Sequence, residues 1–315
     1  MKIVFIGTPQ FALPTLEALI KSEHRIISVI TQPSRPKGRG LKLTLPPVKV
    51  LAQEFGIPVF QPPKINDPQA VSYLKSLSPD LIVVVAYGQI LPQEVLEIPP
   101  LGCINLHASL LPEFRGAAPI ARAIIEGQET TGVTTMDMDE GMDTGDVILQ
   151  KRADISLSDT RGTLSQRLSR EGALLILATL RLIEKDETAP KTVQNNGKAT
   201  YAPLIKKEDC LINWDMPARK IYNLIRGLNP HPGAFTYLNG KRIKVYACQV
   251  VETEGEPARI VKVEKDRLIV ATSKGGLSIL EVQPQGKRKM GIAEFLAGHR
   301  IEEGIIFGGK NDEMS

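Results

Sequence analysis

Residues 81–87 read Leu-Ile-Val-Val-Val-Ala-Tyr and show no polar face at any spacing. A run so rich in β-branched residues reads as a strand buried on both sides, and such strands lie inside parallel sheets covered by helices. The opening of the chain agrees. Lys2–Gly7 is a short apolar strand, 11–21 a helix with Phe11, Leu16, Leu19 and Ile20 as its apolar residues, and 25–31 a second strand. Strand, helix, strand is a βαβ unit. A helix at 47–55, a strand at 58–61 and a helix at 69–77 continue the alternation. The expected class is α/β, with a mostly parallel Rossmann-like open sheet. Gly7 stands without the GxGxxG spacing of a dinucleotide site, and no GxxxxGK[ST] phosphate loop follows.

Residues 103–116 read Cys-Ile-Asn-Leu-His-Ala-Ser-Leu-Leu-Pro-Glu-Phe-Arg-Gly. The first five form a short buried strand after Gly102, and alternation puts Asn105 and His107 on one face. An amide and an imidazole are thus offered together at the C-terminal end of a strand, where open α/β sheets bind ligands. Pro112 disfavours a helix in the loop that follows. Taken singly, an Asn or His at a strand end is ordinarily a hydrogen-bonded structural residue, so a chemical role needs a third group. A strand at 132–139 leads into Glu140-Gly-Met-Asp143-Thr-Gly-Asp146, and a second strand at 146–155 completes a hairpin. From Asp139 to Asp146 this loop has two glycines and four carboxylates. It can bind calcium, although EF-hand spacing and its closing Glu are missing; it can instead bring one carboxylate to His107.

Asn105-Leu-His107, Ser109-Leu-Leu-Pro112, Arg115-Gly116 and Asp143-Thr-Gly-Asp146, in that order, resemble the signature of the formyltransferase family that uses 10-formyltetrahydrofolate. The likeness runs from Lys2 to about Phe307, with no departure at the three polar residues. It implies transfer of a formyl group from N10 of the folate to the amine of methionine carried by initiator tRNA. Attack of a neutral amine on the formyl carbon gives a tetrahedral species with a negative oxygen. Asn105 can donate to that oxygen without changing charge, and His107 to the oxygen or to the departing N10. Asp143 would orient His107 and accept the proton of the amine, through a bound water. The resemblance also implies that Ser109, Leu110, Leu111 and Pro112 hold the pterin side of the folate. Tyr87, Gly88, Ile90, Asp139 and Gly141 are candidate folate contacts, although residues 86–92 read equally as ordinary core and turn. Neither a covalent intermediate nor a metal is expected, and a monomer is.

Residues 32–45 are too rich in proline and glycine for a helix or a central strand. No acidic residue occurs between Glu23 and Glu54, while Arg35, Lys37, Arg39 and Lys42 fall within eight positions. By itself this is a solvated loop; in the family it resembles the insertion that grips the acceptor arm of the tRNA, with Arg39 its most telling position. A helix at 117–126 precedes the hairpin, and 160–183 is a long amphipathic helix with Leu164, Leu168, Leu175 and Leu182 on one side. The polar stretch 184–207 contains Pro190, Asn195-Asn196-Gly197 and Pro203. The expected division is a catalytic domain at 1–188, a linker at 189–207 and a second domain at 208–315. A helix at 217–228 is followed by β runs at Ala234–Leu238, 243–251, 258–263, Arg267–Ala271 and 277–282. Short strands at such spacing suggest a small barrel, and the family carries one resembling an OB-fold. Lys287, Arg288 and Lys289 form a basic cluster, a solvated turn by itself and a backbone contact given a tRNA substrate.

Lys plus Arg is 39 and Asp plus Glu is 35, so the surplus of +4 is too mild to indicate a nucleic-acid binder by itself. Cys103, Cys210 and Cys248 are far apart, without zinc or CxxC spacing, as in a reducing compartment. The chain opens on a strand and not on a signal peptide, and no run reaches the ~20 apolar residues of a membrane span. A cytoplasmic protein is expected. The nearest rivals are formyl transfer to a glycinamide ribonucleotide or a nucleotide amino-sugar, and formyl-folate hydrolysis. The purine enzyme resembles only the first domain, and the sugar enzyme lacks the basic insertion at 35–42. A non-catalytic tRNA- or folate-binding protein is opposed by intact Asn105, His107 and Asp143.

Overall fold

The computed structural model describes residues 1–37, 42–186 and 191–308. In chain order the first elements are β1 (Lys2–Gly7), α1 (Leu13–Ile20), β2 (Arg25–Ile30), β3 (Arg35–Lys37), β4 (Lys42–Thr44), α2 (Pro47–Glu54), β5 (Val59–Phe60) and α3 (Pro68–Leu77). Then come β6 (Leu81–Val85), α4 (Gln93–Leu96), β7 (Cys103–His107), α5 (Pro119–Ile125), β8 (Thr130–Asp137), β9 (Val147–Asp154) and α6 (Arg161–Asp186). Residues 1–119, 130–154 and 165–203 pack as one unit.

Its sheet has the order β5-β2-β1-β6-β7-β8-β9. Pairing is parallel from β5 to β7 and antiparallel for β8 and β9. All five residues of β6 are buried, and a fully buried Val, Leu or Ile contributes roughly 1.5–3 kcal/mol. The strand ends at Val85 and not at Tyr87, because Ala86 (φ 49°) and Gly88 (φ 85°) turn the chain through the left-handed region. From β1 the sheet grows through β2 to β5, then resumes on the other side with β6. The C-terminal ends of β1 and β6 therefore flank a topological switch point, the usual crevice of such sheets. That edge is tied together by Thr8 Oγ1 and Gln32 Nε2, which donate to the Tyr87 carbonyl at 3.4 and 3.3 Å. β3 and β4 form a separate antiparallel pair, with Arg35 opposite Thr44.

Residues 120–129, 155–164 and those from Leu204 onward form a second unit, so packing divides the chain at several points. Arg226 is a reason that 155–164 groups here: its buried guanidinium donates to the carbonyls of Ser156 and Asp159. The unit contains α7 (Ala218–Gly227), β10 (Ala234–Leu238), β11 (Lys241–Val251), β12 (Ile260–Glu264), β13 (Arg267–Ala271), β14 (Gly276–Pro284), β15 (Met290–Gly291) and α8 (Ile292–Ala297). The antiparallel order is β10-β11-β14-β13-β12, with β15 on β14. Asn239 and Gly240 both take positive φ in the tight β10–β11 turn, as such hairpins require. Register shifts at 245–248 bend β11 against β14. Beneath the sheet, Trp214 stacks on Phe307 at 5.5 Å and its indole N–H donates to Thr236. Among the described residues no helix is long and apolar enough to cross a membrane.

Candidate active site

β7 lies between the parallel β6 and the antiparallel β8, and all five of its residues are buried. Asn105 and His107 are two residues apart on it and share a face. No group among the described residues hydrogen-bonds the Asn105 side chain, although the residue is only 9% exposed.

His107 is held at both ring nitrogens. Nε2 meets the Phe114 carbonyl at 3.0 Å, and Nδ1 meets Asp143 Oδ1 at 3.4 Å. A carbonyl and a carboxylate are both acceptors, so each ring nitrogen faces an acceptor. The other carboxylate oxygen, Asp143 Oδ2, accepts the Gly116 N–H at 2.8 Å. Burial by itself would raise the Asp143 carboxyl; the hydrogen bond and charge of His107, the Gly116 N–H and the charge of Arg115 outweigh it and hold the carboxyl below its ordinary value. A carboxyl so depressed contributes stability that is full above its unfolded value of 3.8 and is lost as pH falls through the folded value. We expect the melting-temperature gap between the native chain and Asp143→Asn to be widest near neutrality and to close below about pH 4. Thermal melts across pH check this, and a gap that persists in acid would contradict it.

The loop after β7 is pinned to the β8–β9 hairpin by two polar side chains. Thr134 Oγ1 donates to the Ser109 carbonyl at 2.7 Å and accepts the Leu111 N–H at 3.2 Å. Gln150 Nε2 donates to the Leu111 carbonyl and to Thr134. Ser109 Oγ closes the turn onto the Glu113 carbonyl at 2.5 Å, while Leu110 packs where Gly132 leaves no room for a Cβ. Asp139 is exposed and caps its own loop, accepting from Gly141 N–H and Thr144 Oγ1. The Tyr87 ring sits in the apolar core, so at that position only the backbone edges the crevice. Ile90 is 64% exposed beyond it.

The stretch 191–203, read from sequence as linker, is tied into this unit. Thr192 bridges to Val147, Thr200 Oγ1 accepts the Phe114 N–H, and Ala202 exchanges main-chain bonds with Arg115 and Ala118. Gln194 joins the buried Arg115 guanidinium to the carbonyls of Asp143 and Gly145. The Phe114 carbonyl, the Gly116 N–H and Gln194 have no periodic signature, and sequence reasoning missed them; the Asn195-Asn196-Gly197 turn signal was the only hint that the chain doubles back here. The three cysteines are buried and free. Burial pushes the thiols of Cys103 and Cys248 up to about 12, with Asp137 adding at Cys103, and also raises Cys210. None is a ready thiolate nucleophile.

A family model described as formyl transferase matches residues 1–180, and one described as formyl transferase, C-terminal domain, matches residues 204–300. The chain is 49% identical over 311 residues to the methionyl-tRNA formyltransferase of Pelotomaculum thermopropionicum, covering 98% of this chain and 99% of that one. The chain belongs to the formyl transferase family. The enzyme of the same name from Thermodesulfovibrio yellowstonii is 50% identical over 303 residues, covering 96% and 97% of the two chains. Among solved structures, HypX from Aquifex aeolicus in complex with tetrahydrofolic acid shares the fold, with a TM-score of 0.67 at 17% identity; the match covers 98% of this chain and about half of that one, 50%.

For a formyl transferase, the cations read from sequence as polynucleotide contacts differ in their settings. Arg35 is exposed beside Gln32. Lys37 and Lys42 end the β3–β4 pair, and Arg39 lies outside the described residues. Lys287 is exposed, whereas Arg288 pairs with Glu294 at 2.5 Å and Lys289 with Glu281 at 2.7 Å. Exposed pairs of this kind are weak, about 0–1 kcal/mol.

Proposed function

We propose that the chain transfers the formyl group of 10-formyltetrahydrofolate to the free amine of methionyl initiator tRNA, giving the formylated tRNA that starts translation. The observation that carries the reading is an Asn105 amide without a hydrogen-bond partner among the described residues, on the same strand face as a His107–Asp143 pair, in a chain 49% identical over nearly its whole length to a methionyl-tRNA formyltransferase. The amine attacks the formyl carbon, the bond from that carbon to N10 breaks, and the proton lost by the amine balances the one gained by N10. Asn105 donates to the oxygen that becomes negative. His107 stands beside it and, on exchanging the Phe114 carbonyl for N10, delivers a proton there. Asp143 holds the ring and receives the proton of the amine through a water. Residues 109–112 and the backbone at 87–90 hold the folate, with Asp139 and Gly141 shaping the neighbouring loop. Arg35, Lys37, Arg39, Lys42 and the 287–289 cluster meet tRNA phosphates. On this reading residues 1–188 carry the chemistry together with 191–203, which pack in the same unit, residues 208–315 bind the tRNA, and the enzyme works in the cytoplasm as a monomer.

Transfer of labelled formyl from 10-formyltetrahydrofolate to charged initiator tRNA by the purified chain tests the reaction; its absence under saturating substrates would contradict it. The basic insertion makes a separate expectation. Arg39→Ala raises KM for the tRNA by about tenfold, the loss of a phosphate contact or two, and leaves folate affinity unchanged. Equal loss with a free methionine-like amine would contradict a tRNA role for Arg39.

A further inference from the structure

Asp143 is the residue of its loop that most needs holding. It sits at φ 55°, a left-handed conformation that costs a non-glycine residue about 1–3 kcal/mol and persists only where the surroundings fix it. Its carboxylate is fixed by the Gly116 N–H and His107. Among the described residues its main chain is held by one side chain, Gln194, which is 7% exposed. Gln194 Nε2 donates to the Asp143 carbonyl at 2.9 Å and to the Gly145 carbonyl at 2.6 Å. Its Oε1 accepts from Arg115 Nε and Nη2 at 3.2 and 2.8 Å, and Nη2 also donates to Asn196 at 2.9 Å. Arg115 is 2% exposed and meets amide oxygens, not a carboxylate, among the described residues. Every polar atom of the Gln194 amide is therefore engaged, one end on the turn that carries Asp143 and the other on the residue before Gly116.

We propose that Gln194 is a positioning residue for Asp143: its amide clamps the 143–145 turn to Arg115 so that the carboxylate reaches His107 already oriented. The inference rests on the formyl-transfer reading and adds to it a residue that touches neither substrate. Gln194→Glu isolates the clamp. The new carboxylate still accepts from Arg115 but turns an acceptor toward two carbonyls, so the turn loses both donors while the buried guanidinium keeps its partner.

Full-length native chain, Gln194→Glu and the exposed control Val193→Ala are compared for kcat, KM of both substrates, pH profile, melting temperature and hydrogen exchange of residues 139–146. Gln194→Glu should lower kcat about 10- to 100-fold, the scale of a misplaced catalytic group. Both KM values should stay within about threefold, and the acid limb of the profile should move to higher pH as Asp143 loses its orientation. Exchange at 139–146 should quicken, and Val193→Ala should match the native chain. The proposal is overturned if kcat stays within about threefold of native, or if activity falls only with the folded fraction on an unmoved pH profile. Should Gln194→Glu not fold, Gln194→Met is read by the same criteria, and failure of both to fold makes Gln194 a residue of the fold and overturns the proposal. A native chain without formyl transfer contradicts the functional reading instead; the clamp then stands or falls on whether exchange at 139–146 quickens.

Discussion

Asp143→Ala is expected to lower kcat by about 10²–10⁴-fold, the range of a lost general acid or base. In the proposed mechanism the carboxylate serves the reaction twice, by holding the His107 ring and by receiving the proton of the amine, and no other carboxylate is paired with His107 among the described residues. Alanine also frees the Gly116 N–H and returns the ring to a single acceptor, the Phe114 carbonyl. A turn held at its main chain by Gln194 survives that loss, so the melting temperature should fall by only a few degrees. His107→Ala should fall as far, and the double variant little further, because groups that act as a unit are not additive. Single-turnover rates with both substrates saturating measure this. Retention of kcat within about tenfold would show that the pair is structural.

The second large effect is at Asn105. Removing one preset donor to a developing oxyanion costs about 2.7–4 kcal/mol, or about 10²–10³-fold in kcat. Asn105→Ala should show this with the folate KM little changed, since the donor matters most when the oxygen becomes negative. Because no group among the described residues bonds the amide, its removal orphans no buried partner there, and stability should stay near native. Asn105→Asp is the sharper variant: similar in size, but an acceptor and a charge where a donor is needed. Full activity of either in steady-state assays would place the oxyanion elsewhere.

What the sequence disclosed divides along a physical line. β6 and β7 were legible because burial on both faces leaves an unbroken apolar run, and the end of β7 placed Asn105 and His107 together by alternation alone. The hairpin carrying Asp143 was readable from alternation, and the strands Ala234–Leu238 and Arg267–Ala271 from short β-rich runs set off by turns such as Asn239-Gly240 and Gly275-Gly276. The helices Gln93–Leu96 and Ile292–Ala297 went unread, being too short to display a period. The polar scaffold of the site was invisible for another reason. Its bonds span 51 residues from Asp143 to Gln194 and 86 from Phe114 to Thr200, and single amides and hydroxyls at such separations leave no pattern. The same holds for the basic cluster, where the chain shows three cations but not the carboxylates that meet Arg288 and Lys289.

The central claim is that the Asn105 amide, the His107 imidazole and the Asp143 carboxylate face one carbonyl carbon. A crystal structure with an unreactive 10-formyl folate analogue measures it directly. The account predicts the formyl oxygen about 2.7–3.1 Å from Asn105 Nδ2, with His107 turned toward N10 and Asp143 still against the ring. A formyl group seated out of reach of Asn105 and His107 would contradict it.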